Sequence, residues 1–575
     1  MNNISNTFGK LFVSVLALAG TGMSLVSCTD FLATEPLNEV VEVNYWDRKA
    51  DVESVVYGCY SGFQTKDCMQ RMFVWGELRS ENITYTGSTD VQLKQLIGEN
   101  ILESSPWLNW KDFYAIINRC NTVIDRAPGV QELDPNYTYA EMKAHIAEVT
   151  WLRTLAYFYL VRTFRDVPYS DKPSKNDQNI EEDYCLAATP FKDLLRQLSN
   201  DLEAVKDDAL KLYPLEAIGK SSNGYHASDN YPNTSRVTKC AFYALLADLY
   251  LWQGEYALCV ENCRKVLEYK MDLYEEWQEE STSYVRNLEL YFDKYPLYVE
   301  NPSGKTMGYA YDYIFGDGNS FESIFEFYFG KDLSPKNEMV TEFFGDSKNK
   351  GKLAAYYGIR SGVYEGNNEL FGQDDCRAAE FIENKETEFP ILKYLATSVS
   401  VTPSSTKGKE PSVSYSTSSE NFSNWIVYRL TDVMLMQAEA MIELGGEDNL
   451  KEAFELISAV YDRGNGYKVT DANCLQYADY NNQAKMRELV QKERNRELMF
   501  EGKRWFDLVR YTLREPNNDK LISAVIGKQK EKPTAVRIQL KSRDALFWPY
   551  LKSELDVNKK LKQNEAYITN ETSEK

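Results

Sequence analysis

Residues 235–269 read SRVTKCAFYALLADLYLWQGEYALCVENCRKVLEY. Ala244 and Ala247 recur on one face with Tyr250, a glycine follows at Gly254, and Cys259, Cys263 and Val266 then recur at helical spacing. Small residues let antiparallel helices approach closely, and glycine relieves the strain of a tight connection. The stretch therefore predicts a helix hairpin. A looser copy runs from Tyr428 through Ala438, Ala440, Gly445, Ala453 and Ile457 to Val460.

Outward from these copies the same periodicity predicts further helices. Trp110, Tyr114, Ile117 and Ile124 share a face from Trp107 to Ala127, and Pro128-Gly129 should stop that helix. A second runs from Tyr139 to Phe164, ending before Pro168. Others are expected near 190–212, 236–252, 255–270, 426–444, 449–462 and 484–513. The 271–425 stretch between the copies loses this period. Within 274–330, 16 of 57 residues are aromatic, 28% against 13% for the chain, so rings concentrate in irregular backbone. Phe321, Phe325, Phe327 and Phe329 suggest a buried strand. Gly219–Ser235 and Ala396–Asn424 read as exposed polar loops, the second as the more mobile.

Composition narrows the function classes. The chain has 575 residues, 43% hydrophobic and 26% charged, which fits a globular protein. Its net charge of -21 opposes binding to nucleic acid phosphates. His145 and His226 are the only histidines, which leaves little room for imidazole metal sites or histidine-based triads. Beyond Cys28 nine cysteines remain, with no CxxC pair, and buried thiols are expected.

The amino terminus reads as an address. Lys10 precedes an apolar run from Leu11 to Val26 that is short and rich in small residues, ending at Leu25-Val26-Ser27-Cys28. This predicts a cleaved signal peptide over 1–27. The Leu-x-Ser-Cys junction is similar to a bacterial lipobox, in which Cys28 becomes the acylated first residue of the mature chain.

Further motifs follow in order. Trp110-x3-Tyr114-x2-Ile117-Asn118 is followed by Ala147-Glu148-Val149-Thr150-Trp151-Leu152-Arg153 and Asp166-Val167-Pro168. Arg236-Val237-Thr238-Lys239 leads into Ala244-Leu245-Leu246-Ala247, and Tyr428-Arg429-Leu430-Thr431-Asp432-Val433 precedes Gln437-Ala438-Glu439-Ala440. The strongest is Glu493-Arg494-x2-Glu497-Leu498-x-Phe500-Glu501-Gly502-x-Arg504-Trp505-x-Asp507-Leu508-x-Arg510, and Trp548-Pro549 closes the set. Together they resemble the SusD/RagB family of outer-membrane lipoproteins that capture complex glycans, over almost the whole mature chain. The scaffold is also similar to tetratricopeptide repeats. Two departures are Arg165, where the family usually has glycine, and Leu551, where it usually has proline.

The resemblance implies a mainly α fold: a tetratricopeptide-like helical-hairpin scaffold at about 40–270 and 426–575, interrupted by a loop- and short-strand-rich insertion at about 271–425, all in one domain over 28–575. It implies a non-enzymatic glycan-binding lipoprotein, anchored through Cys28 in the outer membrane and facing outward. Its partner would be a SusC-like TonB-dependent outer-membrane barrel. No catalytic residue, metal or cofactor is implied. The alternatives are a RagB-like peptide-binding relative, a lipid-anchored glycoside hydrolase and a protein-only repeat scaffold. The hydrolase would need a carboxyl of raised pKa opposite a nucleophile. The acids between Glu493 and Asp507 each have an arginine nearby that would hold them ionised, so that run is expected to be a structural charge network.

Sugar rings present C–H faces flanked by hydroxyls, which suit aromatic faces beside polar side chains. Two zones fit: Trp75, Arg79, Asn82 and Tyr85 in or beside one loop, and Tyr291, Tyr295, Tyr309, Tyr311 and Tyr313 in the ring-rich stretch. In the family, glycan sites are commonly assembled from loops in these two zones, a carry-over by region and not by residue. Trp107 and Trp110 are assigned to the core.

Overall fold

The structure, a computed structural model of the chain, describes residues 45–174, 185–213, 231–279, 287–301, 305–330, 336–385, 388–406, 408–468, 471 and 473–568. The signal peptide, Cys28, most of the 219–235 loop and the chain end lie outside these residues. No helix among the described residues is long and apolar enough to cross a membrane.

Eleven helices carry the argument: α1 (Lys49–Phe63), α2 (Lys66–Glu77), α3 (Lys111–Leu133), α4 (Tyr139–Phe164), α5 (Phe191–Val205), α6 (Lys239–Gln253), α7 (Tyr256–Glu279), α8 (Leu430–Leu444), α9 (Glu447–Gly464), α10 (Gln483–Leu498) and α11 (Arg504–Arg514). Thr138 shows how the sequence sets a boundary. Its hydroxyl accepts from the Glu141 amide while Glu141 reaches back to the Thr138 amide, which satisfies donors that the first turn leaves free. At the other end of α4, Arg165 takes a left-handed backbone (φ +70°), a conformation glycine adopts at low cost. Its guanidinium is held by Asp166 at 3.0 Å and by Asp544.

The hairpin at 235–269 forms as α6 and α7, closed by Gly254 at φ +78°. Cys259 and Cys263 are fully buried in its core. Helix α7 then packs on α8, and α8 packs on both α9 and α10, so the two hairpin copies sit side by side although about 150 residues separate them. Helices α3 and α4 pair with each other, with α1 against α3 and α5 against α4.

The strands are short: β1 (Ile83–Tyr85), β2 (Val167–Pro168) and β3 (Ala188–Thr189) precede the first hairpin, and β4 (Leu288–Tyr291), β5 (Tyr295–Tyr298), β6 (Ser323–Phe327), β7 (Leu353–Ala355), β8 (Ala396–Thr402), β9 (Ser412–Thr417) and β10 (Trp425–Arg429) fill the interval between the two copies. They form antiparallel pairs only, β1–β7, β2–β3, β4–β5, β6–β10 and β8–β9. The phenylalanine-rich strand is β6, and Phe321, Phe325, Phe327 and Phe329 are all buried.

Four expectations are corrected. Helix α3 continues through Pro128 to Leu133, because Val130 is buried and holds the last turns while proline removes only one amide donor. Residues 425–429 are strand and not helix: every side chain of Trp-Ile-Val-Tyr-Arg is buried, and the strand pairs with β6 before turning into α8. Residues 396–424 hold the β8–β9 ribbon, since Ser-Val-Ser-Val-Thr and Ser-Val-Ser-Tyr-Ser alternate at strand period. The helix expected over 484–513 breaks between α10 and α11, where Phe500 and Gly502 have φ of +65° and +70°.

A tyrosine-lined cleft as candidate binding site

The residues expected to face a ligand are divided by burial. Trp75 is fully buried on α2, stacked on Phe113 with ring centres 4.8 Å apart, and its Nε1 donates to the Trp107 carbonyl at 2.8 Å. Arg79 is also fully buried: Nη2 meets Glu99 Oε2 at 2.6 Å, and the guanidinium lies 4.0 Å from the Trp505 ring centre. Buried Asn82 donates to Glu77 Oε1 and Asn495 Oδ1, both at 2.9 Å. Trp75 packs α2 onto α3 and α4, and Arg79 and Asn82 join the end of α2 to the 493–510 region. Expected in or beside a loop, all three side chains lie in the interior, where the Trp75 indole and the Arg79 guanidinium are matched and Asn82 Oδ1 has no hydrogen-bond partner among the described residues.

The second zone divides similarly. Tyr291 and Tyr295 face each other in register on β4–β5 and are both buried. Tyr311 is buried, its hydroxyl donating to the carbonyls of Leu392 at 2.7 Å and Ala396 at 3.1 Å. Half-buried Tyr313 stacks on Tyr298 at 4.6 Å and 6°. Only Tyr85, 45% exposed beside Lys94, and Tyr309, 37% exposed, present rings openly. They stand on different parts of the fold: Tyr85 on the β1–β7 ribbon, Tyr309 next to Met307, which bridges to Val401 of β8.

Met307 and Val401 lead into a cleft of about 300 Å³ where the insertion meets the end of α9. Its walls include Tyr364, Gln373, Asp374, Lys409, Asn465 and Tyr467. The Tyr467 hydroxyl donates to Asp374 Oδ2 at 2.6 Å, and burial together with that carboxylate pushes its pKa up. Tyr364 packs under Arg360, whose guanidinium carbon is 4.7 Å from the ring centre. The buried Tyr364 hydroxyl and Asn465 Oδ1 have no hydrogen-bond partner among the described residues. The cleft thus combines two rings, a carboxylate, amides and an ammonium group, with two polar atoms unmatched.

A buried charge lattice holds the floor in place. Asp375 binds Arg377 through two hydrogen bonds of 2.9 and 2.8 Å, and Arg377 Nη1 continues to Glu493 at 2.7 Å and Glu497 at 2.8 Å. Glu497 also receives Arg429 at 2.6 Å and Arg463, while Glu501 receives Lys393 at 2.7 Å. Although burial disfavours their charged forms, the surrounding cations hold Glu497 well below the carboxylate range and Glu501 at about 2. The 493–510 acids therefore act as scaffold, and most of their partners lie on other elements instead of one helical turn away.

Glu300, Cys376 and Glu380 bring ligand-type atoms within 4.8 Å of one another, all buried. Burial raises both carboxyls, Glu300 to about 7; Glu300 pushes Glu380 up further, while the hydrogen bond with Glu380 pulls Glu300 down. Of the three, only Cys376 lines the cleft. A neutral thiol and a proton-sharing acid pair make a closed structural cluster, and carboxyls of raised pKa such as Glu326 and Glu77, each at about 7, are likewise sealed in the core.

Sequence reasoning missed this cleft because its walls come from segments about 100 residues apart. A local signal exists: Tyr364 lies between Gly362 and Gly366, and Tyr467 follows Gly464-Asn465-Gly466, so each ring sits on a glycine-bracketed turn.

A SusD-like protein P38 from Formosa agariphila is 23% identical over 577 residues, covering 97% of this chain and 99% of that one. A second from the same organism, SusD-like protein P25, is 24% identical over 85% of this chain and 88% of its own. Among solved structures, a SusD superfamily protein from Bacteroides thetaiotaomicron superposes with a TM-score of 0.62 at 20% identity, covering 91% of this chain and 99% of that one. A Bacteroides vulgatus protein assigned as sugar-binding gives 0.61 at 17% identity over 91% and 100%. The fold is shared with these structures, and the SusD family model matches residues 268–567, so the chain belongs to the SusD family.

Proposed function

We propose that this protein is a glycan-binding lipoprotein of the outer cell surface, tethered through Cys28, which captures an oligosaccharide without cleaving it and passes it to a SusC-like TonB-dependent outer-membrane barrel. Family membership and the sugar-binding assignment of one structural neighbour support the class of ligand. The observation that carries the reading is the cleft lined by Tyr364 and Tyr467, where ring carbon lies beside Asp374, Gln373 and Asn465 and two polar atoms, the Tyr364 hydroxyl and Asn465 Oδ1, lack partners among the described residues, a mix that suits a sugar's C–H patches and hydroxyls. Tyr309, next to the cleft-lining Met307, is an exposed ring available to a longer chain.

The test is a titration of purified protein against host and plant polysaccharides with product analysis in the same tubes, together with detergent extraction of the envelope to recover a co-purifying barrel. Saturable binding without products, reduced at least tenfold in Tyr364→Ala or Asp374→Ala, is expected. Release of shortened sugars, or full affinity in both variants, would remove the reading.

A further inference from the structure

A second cleft lies at the other junction of the scaffold, with a volume of about 580 Å³. Its walls come from the start of α5, the α6–α7 turn, the end of α11 and the segment around Arg543. Phe191 joins two rings edge-on, Trp252 at 6.1 Å and Phe547 at 5.8 Å, which gives the cleft an aromatic side.

Its polar lining is almost entirely donor. Arg165, Lys192, Arg196, Arg510, Arg514 and Arg543 face it, against the single acid Glu255, in a chain of net charge -21. Most of these cations are held from behind. Arg510 and Arg514 both bind Glu439 at 2.7 Å, Arg165 binds Asp166 and Asp544, and Arg543 donates to the carbonyls of Leu513 and Glu515. Among the described residues Lys192 makes no ion pair, and the one ion pair of exposed Arg196 is with Asp193 at 3.8 Å.

Two further features point to a missing acceptor. The α5 helix starts at the cleft wall with no side-chain cap from Pro190; Asp166 accepts from its Phe191 amide at 2.8 Å and Asp193 stands in its first turn, so Lys192 and Arg196 are the cations left toward the cleft. Trp252 is 92% buried, yet its indole N–H has no acceptor among the described residues, and Arg514 Nη1 makes no hydrogen bond of good geometry. A buried donor left without a partner is costly, and an acceptor oxygen of a ligand lying against the Trp252 ring would supply it.

We propose that this cleft binds a sugar ring bearing a carboxylate or sulfate, with the ring against Phe191, Trp252 and Phe547 and the anion at the α5 start between Lys192 and Arg196. The choice of a sugar as carrier rests on the glycan reading above; the anion site does not, and it is separate from the tyrosine cleft.

The test follows the Trp252 indole proton by NMR in the full-length protein, assigned with Trp252→Phe, during titration with glucuronate, glucose and inorganic sulfate. Glucuronate should shift that resonance saturably, glucose should not, and sulfate should bind more weakly than glucuronate. In Lys192→Glu/Arg196→Glu the affinity for glucuronate should fall at least tenfold. Both side chains are exposed, and the double variant should keep a cooperative thermal transition and its Trp252 resonance, both read in the same samples. Equal shifts by glucose, sulfate binding as tightly as glucuronate, or an unchanged affinity in the double variant would overturn the proposal. Asp374→Ala serves as the control, since it tests the tyrosine cleft and should leave the Trp252 response intact.

Discussion

The Arg429 guanidinium grips Glu501 across 72 residues of chain, Nη2 at 2.7 Å from Oε1 and Nε at 3.1 Å from Oε2. It joins the end of β10 to the break between α10 and α11. The same group donates to Glu497 Oε1 at 2.6 Å and to the Glu497 carbonyl at 2.8 Å, so one side chain closes the lattice beneath the cleft. Arg429→Met takes a cation from each of two buried carboxylates, leaving Glu497 with Arg377 and Arg463 and Glu501 with Lys393. A loss of about 3–5 kcal/mol in urea unfolding is expected. Adding Glu501→Gln to the same chain should recover part of that loss, and strictly additive losses would show that the pair is not coupled.

Gly76 makes a simpler prediction. A Cβ added there would lie 1.7 Å from the Gly502 carbonyl oxygen, a backbone atom that cannot swing aside. Gly76→Ala should cost about 3 kcal/mol or more, or prevent folding, read as loss of the cooperative transition. The contact fixes α2 directly on the turn between α10 and α11.

These joints show where sequence reading succeeds and where it stops. The hairpin of Ala244, Ala247 and Gly254 was legible because close packing and a positive-φ turn demand particular residues within one short window. Trp425–Arg429 was not: fully buried strands lack alternation, so their apolar run merges with the helix that follows. For the site, exposure was the missing quantity. Trp75 and Arg79 have the composition of a sugar platform, but only the tertiary fold reveals Phe113, Glu99 and Trp505 around them. The Tyr364–Tyr467 cleft depends on long-range assembly that no local pattern encodes.

Trp75 therefore makes a prediction opposite to that of a ligand-facing ring. Its removal leaves a cavity beside Phe113 and Phe164 and an unmatched Trp107 carbonyl. Trp75→Ala should destabilise by about 3–5 kcal/mol. Glycan affinity per folded molecule, measured below the unfolding temperature, should remain unchanged. A selective affinity loss with normal stability would return Trp75 to the site.

Glu326 gives the chain a pH dependence of known sign. Its carboxyl, fully buried on β6, accepts from the Asn319 amide and from Asn424 at 2.8 Å, and meets Ser323 at 3.1 Å. These bonds and distant Lys270 do not offset burial, which lifts it to about 7. The folded state therefore keeps a proton that the unfolded chain releases near its ordinary value of 4.5. Stability is unaffected by this group below that value and falls as pH rises toward 7, by at most about 1.4 kcal/mol per pH unit for one proton. Glu501 acts in the opposite direction, its contribution being lost as pH falls below 4.5 toward 2. Glu326→Gln keeps the shape and the acceptor while removing the titration, so the decline in unfolding free energy between pH 5 and pH 7 should flatten, with little change at pH 5. An identical slope in both proteins would show that Glu326 is already ionised in the fold, and would place the neutral carboxyls elsewhere, at Glu77 or Glu300.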